Sequence, residues 1–201
     1  MSEVAETEEQ ILRAAKQVFQ RQGFSGARMQ AIADEAGINK SMLHYYFRSK
    51  DKLFHTVFQQ SIREFFPKIF EVLSGEMELE AKITKLVETY YTMFRNHPHL
   101  PRFVIHEMNQ HPQRFQAFME DSGMKIPERL INQIQKEVDA GRIKKIDPRQ
   151  FIINTIGLCV FPLIAKPMVE TVFSMDDEEF DDFLESRKKE LPGFILNAIK
   201  K

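Results

Sequence analysis

Apolar positions recur every three or four residues along almost the whole chain, while the strict alternation that builds strands is rare. Ile11, Leu12, Ala15, Val18 and Phe19 form the first such stripe, closed by Gly23. Phe24 follows it and can fold back on the stripe. Thr7 is placed to cap this helix, with Glu8 and Glu9 in its first turn, and residues 1–6 read as a frayed tail. Met29, Ile32, Ala33 and Ala36 predict a second, short helix. Gly37 then supplies a left-handed turn residue and Asn39 a cap for a third helix over about 40–47, with Leu43 and Phe47 facing inward. Ser49 caps a fourth helix whose Leu53, Phe54, Val57, Phe58, Ile62, Phe65 and Phe66 make a stripe wider than a three-helix unit of this size needs. Pro67 predicts a stop or a kink there, with 67–74 as a short turn or a bent continuation.

Four helical patterns follow Gly75, over 79–95, 98–111, 113–122 and 126–140. Asp147-Pro148 pairs a capping acid with proline at the first helical position and opens a helix over 148–172. That helix is apolar almost all round between Ile152 and Ile164, with a kink or break expected at Pro162 and Pro167. A last stripe runs from Phe180 through Leu191, Phe194 and Ile195 to Ile199, bending at Pro192. The pattern predicts an all-α protein with an N-terminal three-helix helix-turn-helix domain at 1–54 and a larger helical domain at 55–201. The boundary falls inside a long shared helix and not in a flexible linker.

With 201 residues, 43% hydrophobic and 28% charged, the chain can bury a substantial core and is not of disordered type. The formal net charge of −1 carries no sign of nucleic-acid binding, but its distribution does. Between Gln10 and Phe54 lie eight Lys or Arg (13, 16, 21, 28, 40, 48, 50, 52) against three acids (34, 35, 51), whereas residues 176–190 hold eight acids against three bases. A single cysteine, Cys159, excludes an intramolecular disulfide and a thiolate cluster, and suits a reducing compartment. The acidic N-terminus is unlike a signal peptide, and the most apolar stretch, 151–165, is too short for a membrane span; a cytoplasmic protein is expected.

The third helix carries the candidate chemistry. With Leu43 and Phe47 anchoring its back, Lys40, Ser41, His44 and Tyr45 project outward, a mixture of cations, hydroxyls and flat rings suited to groove walls and base edges. Arg28 and Lys50 stand on either side as candidate phosphate clamps. No nucleophile–base pattern, phosphate-binding glycine loop or metal-ligand set supports an enzyme, and no cofactor is expected. His97, His99, His106 and His111 cluster near Glu107, but the prolines around them leave no spacing that fixes metal geometry.

The marks ILRAA…F…GF, then M..IA..AG, then K..L.YYF.SKD.L, within EEQILRAAKQVFQRQGFSGARMQAIADEAGINKSMLHYYFRSKDKLF, resemble the DNA-binding domain of the TetR/AcrR family of bacterial transcription regulators. The resemblance covers about the first quarter of the chain. It implies a dimeric, ligand-relieved repressor whose DNA-contacting set would be Arg28, Asn39, Lys40, Ser41, His44, Tyr45, Tyr46 and Lys50. Arg28 stands where the family commonly has Thr, Ser41 where it has Gly and His44 where it has Tyr, so no operator sequence carries over. The last two helical patterns correspond in order to the helices that usually form the family's dimer interface, and their excess apolar surface agrees with that.

The expected function is therefore a homodimer that binds a palindromic operator on double-stranded DNA through residues 40–47 and is released by a small, apolar effector. Candidate ligand-lining residues are Phe58, Phe65, Tyr90, Tyr91, Phe94, Met108 and Phe161. The alternative is a regulator of the same kind controlled by a protein partner, with a filled C-terminal core and no small-molecule pocket.

Overall fold

The computed structural model describes residues 3–98, 100–123 and 125–201, leaving out the side chains of 3, 65 and 96. His99 and the side chain of Phe65, both singled out above, therefore lie outside the described residues. The chain is helical throughout: α1 Glu3–Gly26, α2 Met29–Glu35, α3 Lys40–Tyr46, α4 Lys50–Ser74, α5 Leu79–Asn96, α6 Leu100–Gln110, α7 Pro112–Ser122, α8 Glu128–Asp139, α9 Pro148–Ile164, α10 Lys166–Phe173 and α11 Asp177–Ile199. Among the described residues the only extended pairing is one isolated bridge between Ile143 and Lys200. The all-α expectation holds.

Packing divides the chain into two compact units, Met1–Glu64 with Phe103–Pro112, and Phe65–Arg102 with Gln113–Lys201. Helix α4 thus contributes its first turns to one unit and its remainder to the other. In the first unit Ile11, Ala15, Val18 and Phe19 of α1 meet Ile32 and Ala33 of α2, Leu43 of α3 and Leu53, Phe54 and Val57 of α4, all fully or nearly fully buried. Burial of an aliphatic or aromatic side chain of this kind contributes on the order of 1.5–3 kcal/mol, and it is what holds such short helices folded. Phe103 adds a face from α6, its ring 4.9 Å from Phe54 and 5.7 Å from Phe58. In the second unit α11 packs chiefly along α5, and α9 lies against α5 and α8. Val87, Phe94, Leu130, Ile134, Cys159 and Leu191 are central there.

Three helix ends differ from the expectation. Helix α1 begins at Glu3, so Thr7 lies within it and not at its cap; the acids from Glu3 to Glu9 favour the positive end of the helix and extend it. Helix α1 also continues past Gly23 to Gly26, with a kink at Gly23, whose φ is +67°. The apolar pattern 148–172 divides at Ala165 into α9 and α10, bent by 72°. Pro167 has no N–H for the preceding turn and disfavours helical geometry in Lys166, which restarts the helix there. By contrast Pro67, Pro162 and Pro192 sit inside continuous helices, where burial of the flanking stripes outweighs the lost hydrogen bond. Among the described residues no single helix is long and apolar enough to cross a membrane.

Candidate nucleic-acid interface

Helices α2 and α3 are joined by a tight turn. Gly37 takes a φ of +65°, its N–H donates to Asp34 O (3.1 Å), and the N–H of Ile38 donates to Ala33 O (3.0 Å). These bonds satisfy the open carbonyls of α2 within two residues. Gln10 Nε2 donates to Ala36 O at 2.6 Å and ties the turn to α1. Asn39 Oδ1 then accepts from Met42 N at 2.7 Å and starts α3. Arg21 and Glu35 form an ion pair between α1 and α2.

With Leu43 and Phe47 buried, the rest of α3 faces solvent. Lys40, Ser41 and His44 are exposed, Tyr45 is 81% exposed, and Tyr46 is half-buried with its ring edge-on to Tyr45 at 5.5 Å. A tyrosine so exposed on a seven-residue helix buries almost no apolar area of its own, so packing gives no reason for it to be there. Arg28 is exposed at the start of α2 and makes no side-chain cap bond. Met42 and Arg48 are exposed as well; the sequence marks Arg48 only as part of its basic surplus and does not mark Met42, because a lone methionine carries no pattern of its own.

Lys50 is placed differently from the others. Its ammonium donates to Phe24 O (2.9 Å) and Ala27 O (3.1 Å) and lies 4.4 Å from the centre of the Phe24 ring. It pins the loop after α1 to the first turn of α4, and two of its three N–H donors are engaged. Asn39 likewise uses its side-chain oxygen for the cap, and the residue is exposed.

The ligand candidates are distributed over both units. Phe58 is buried in the first unit against Phe103, and Met108 is half-buried in the 103–112 segment of that unit. Tyr90, Tyr91 and Phe94 are buried on α5 in the second unit, with Tyr90 and Phe94 rings 5.6 Å apart. Phe161, in the same unit, is 57% exposed and lines an open groove of about 750 Å³ between α9 and α11. A second, interior gap in that unit measures about 20 Å³ and is walled by Ile69, Leu73, Lys82, Leu86 and Phe151.

Polar groups in the second unit feel their burial. Desolvation raises the Tyr90 phenol above its ordinary range. Tyr91 is pushed up to about 12 by burial, partly offset by the neighbouring Arg187 guanidinium. The Cys159 thiol, also raised to about 12 by burial, stays protonated and unreactive. Lys82 is almost fully buried and donates to Leu73 O at 3.0 Å near the end of α4; burial, then the positive charge of Arg129, lowers its pKa. Among the described residues no group of three or more His, Cys, Asp or Glu is arranged to hold a metal ion.

Known proteins give this arrangement a context. Residues 11–57 match the family described as bacterial regulatory proteins, tetR family, and residues 80–189 match the tetracyclin repressor-like C-terminal domain. The chain is 29% identical over 173 residues to the HTH-type transcriptional regulator RutR of Escherichia coli K12, covering 85% of this chain and 81% of that one. It is 33% identical over 92 residues to the HTH-type transcriptional repressor NicS of Pseudomonas putida, covering 46% of this chain and 43% of the relative. Among solved structures, the ketosteroid transcriptional regulator KstR2 of Mycobacterium tuberculosis superposes with a TM-score of 0.70 at 14% identity, covering 96% of this chain and 95% of that one. The fatty acid degradation regulator FadR of Bacillus halodurans superposes at 0.65 and 19% identity, covering 94% of each. These two likenesses show the fold. Taken with the capped, outward-facing α3 helix, the two domain matches establish that the chain belongs to the TetR family of DNA-binding transcriptional regulators.

Proposed function

We propose that this chain is a cytoplasmic, homodimeric repressor that holds a near-palindromic operator with two α3 helices and lets go when a small apolar molecule enters the second unit. The observation that carries the DNA half of this reading is Tyr45, 81% exposed on a short capped helix beside exposed Lys40, Ser41 and His44. Those four groups would read base edges and groove walls, with Asn39 and Tyr46 at the margins of the contact. Arg28 would hold a phosphate, and Lys50 has one N–H left to offer another. Two such helices about 34 Å apart fit half-sites one DNA turn apart.

Dimerisation would use the α9–α11 face, where Ile153, Phe161 and Phe194 are each more than half exposed. The effector would seat near Tyr90, Tyr91 and Phe94, and bias α4, which belongs to both units. A coupling of ~1–3 kcal/mol between effector and DNA is enough for a useful response. The test is titration of small molecules that co-purify with the dimer against binding of a selected operator. The proposal expects one of them to weaken DNA binding at least tenfold. An effector that binds tightly and leaves DNA affinity unchanged would sink the ligand-release half.

A second reading, control by a protein partner, is favoured by one observation. The interior gap of about 20 Å³ holds no drug-sized molecule without repacking of the core around it.

A further inference from the structure

Lys50 occupies a position that is unfavourable for its own helix. It opens α4, and a cation in the first turn meets the positive end of the helix dipole. Its ammonium is satisfied instead by the end of α1, through Phe24 O at 2.9 Å, Ala27 O at 3.1 Å and the Phe24 ring at 4.4 Å. Phe24 lies in the last turn of α1 and Ala27 just beyond it, where carbonyls lack a partner within the helix.

The bond to Ala27 bears on Arg28. The carbonyl of Ala27 and the N–H of Arg28 belong to one planar peptide, so fixing Ala27 O fixes the plane from which Arg28 continues. On the other side, Arg28 O accepts from Ile32 N at 3.2 Å and begins α2. Arg28 is thus held through the backbone on both sides, in extended geometry with φ −117° and ψ 142°. Its guanidinium is the opposite: exposed, and without a hydrogen bond or ion pair among the described residues. A long side chain launched from a fixed backbone samples fewer directions than one on a loose loop, so less is lost when it meets a ligand.

We propose that Lys50 is a positioning residue for DNA binding, which holds the Ala27–Arg28 peptide so that the Arg28 guanidinium is presented to a phosphate. Lys50 then matters to DNA chiefly through Arg28, and only secondarily through its own third N–H. Two observations favour this role over a direct contact. Two of the three ammonium donors are committed inside the protein, and Lys50 is half-buried where Arg28 is exposed. A plain staple between α1 and α4 is a different role, and it predicts a loss of DNA binding that does not depend on Arg28.

This inference rests on Arg28 as the phosphate contact proposed above, and a double-mutant cycle separates their failures. Binding to a duplex selected from random sequence by the wild-type protein is measured for wild type, Arg28→Ala, Lys50→Met and the double variant. Lys50→Met keeps an apolar stem and removes the ammonium. It is expected to weaken binding about tenfold in the wild-type background and no more than about threefold in the Arg28→Ala background. Without DNA, NMR relaxation is expected to show a lower backbone order parameter at Arg28 in Lys50→Met than in wild type. Lys50→Gln, which keeps a donor for one carbonyl, takes the place of Lys50→Met throughout if the latter is not fully helical. An Arg28→Ala variant that binds like wild type overturns the phosphate contact and this inference together. If Arg28→Ala weakens binding but Lys50→Met weakens it equally in both backgrounds, or in neither, the positioning role alone falls. An unchanged order parameter at Arg28 also overturns that role.

Discussion

Gly37, Asn39 and Tyr45 divide the work of the α2–α3 corner into backbone geometry, capping and the proposed contact with DNA. Gly37 sits at φ +65° with only Gln10 Nε2 near the place a Cβ would occupy, at 4.0 Å, so substitution there meets strain and no clash. Gly37→Ala is expected to cost about 1 kcal/mol from the left-handed backbone alone, and Gly37→Asn less; urea unfolding of the two variants checks the order. Tyr45→Ala removes a side chain that is mostly in water, so the melting temperature should stay within a degree or two of wild type while operator affinity falls tenfold or more. Arg28→Ala should act differently, weakening binding evenly across DNA sequences and lowering the salt slope by about one. A sequence-dependent loss with Arg28→Ala would mean that it reads bases.

At the scale of elements, the ends of helices and their burial decide what holds. The outward set on α3 was legible in the sequence because two inward residues, Leu43 and Phe47, fix the helix phase and leave the others exposed. The Lys50 anchor was not legible. Local periodicity does not tell a lysine in solvent from one whose ammonium returns to carbonyls at Phe24 and Ala27, and that distinction depends on where α4 enters. The place of 103–112 in the first unit was hidden for the same reason: Phe103 packs on Phe54 and Phe58 across some fifty residues, and no helical period encodes that partner. Prolines were ambiguous as well, since Pro167 breaks a helix and Pro192 does not, and the difference lies in the burial of Leu191, Pro192 and Ile195.

Lys82 gives this scale its own prediction. The folded chain holds its pKa below the ordinary 10.5, by burial first and Arg129 second, so between the folded value and 10.5 the unfolded chain binds more protons. Stability should therefore rise as the pH is raised through that window, and Lys82→Met should abolish this contribution. Thermal unfolding of both proteins from pH 7 to pH 10 measures it; a parallel pH dependence in the two would show that Lys82 is not desolvated in the folded state.

For the molecule as a whole, the sequence disclosed two domains of different charge and the family of the first, and the structure supplies the faces each leaves uncovered. The acidic half of α11, the exposed apolar residues of α9 and α11, and the exposed aromatic and cationic surface of α3 have no use in an isolated chain. In the proposed dimer on DNA each would acquire one, with pairing of the C-terminal units setting the distance between two recognition helices. The most direct test of that account is selection of binding sites from random double-stranded DNA by the wild-type protein, followed by affinity measurement for Tyr45→Ala on the selected sites. The account predicts inverted repeats with half-site centres about one helical turn apart, bound at least tenfold less well by Tyr45→Ala. Selected sites without two-fold symmetry, or equal binding by the variant, would contradict it.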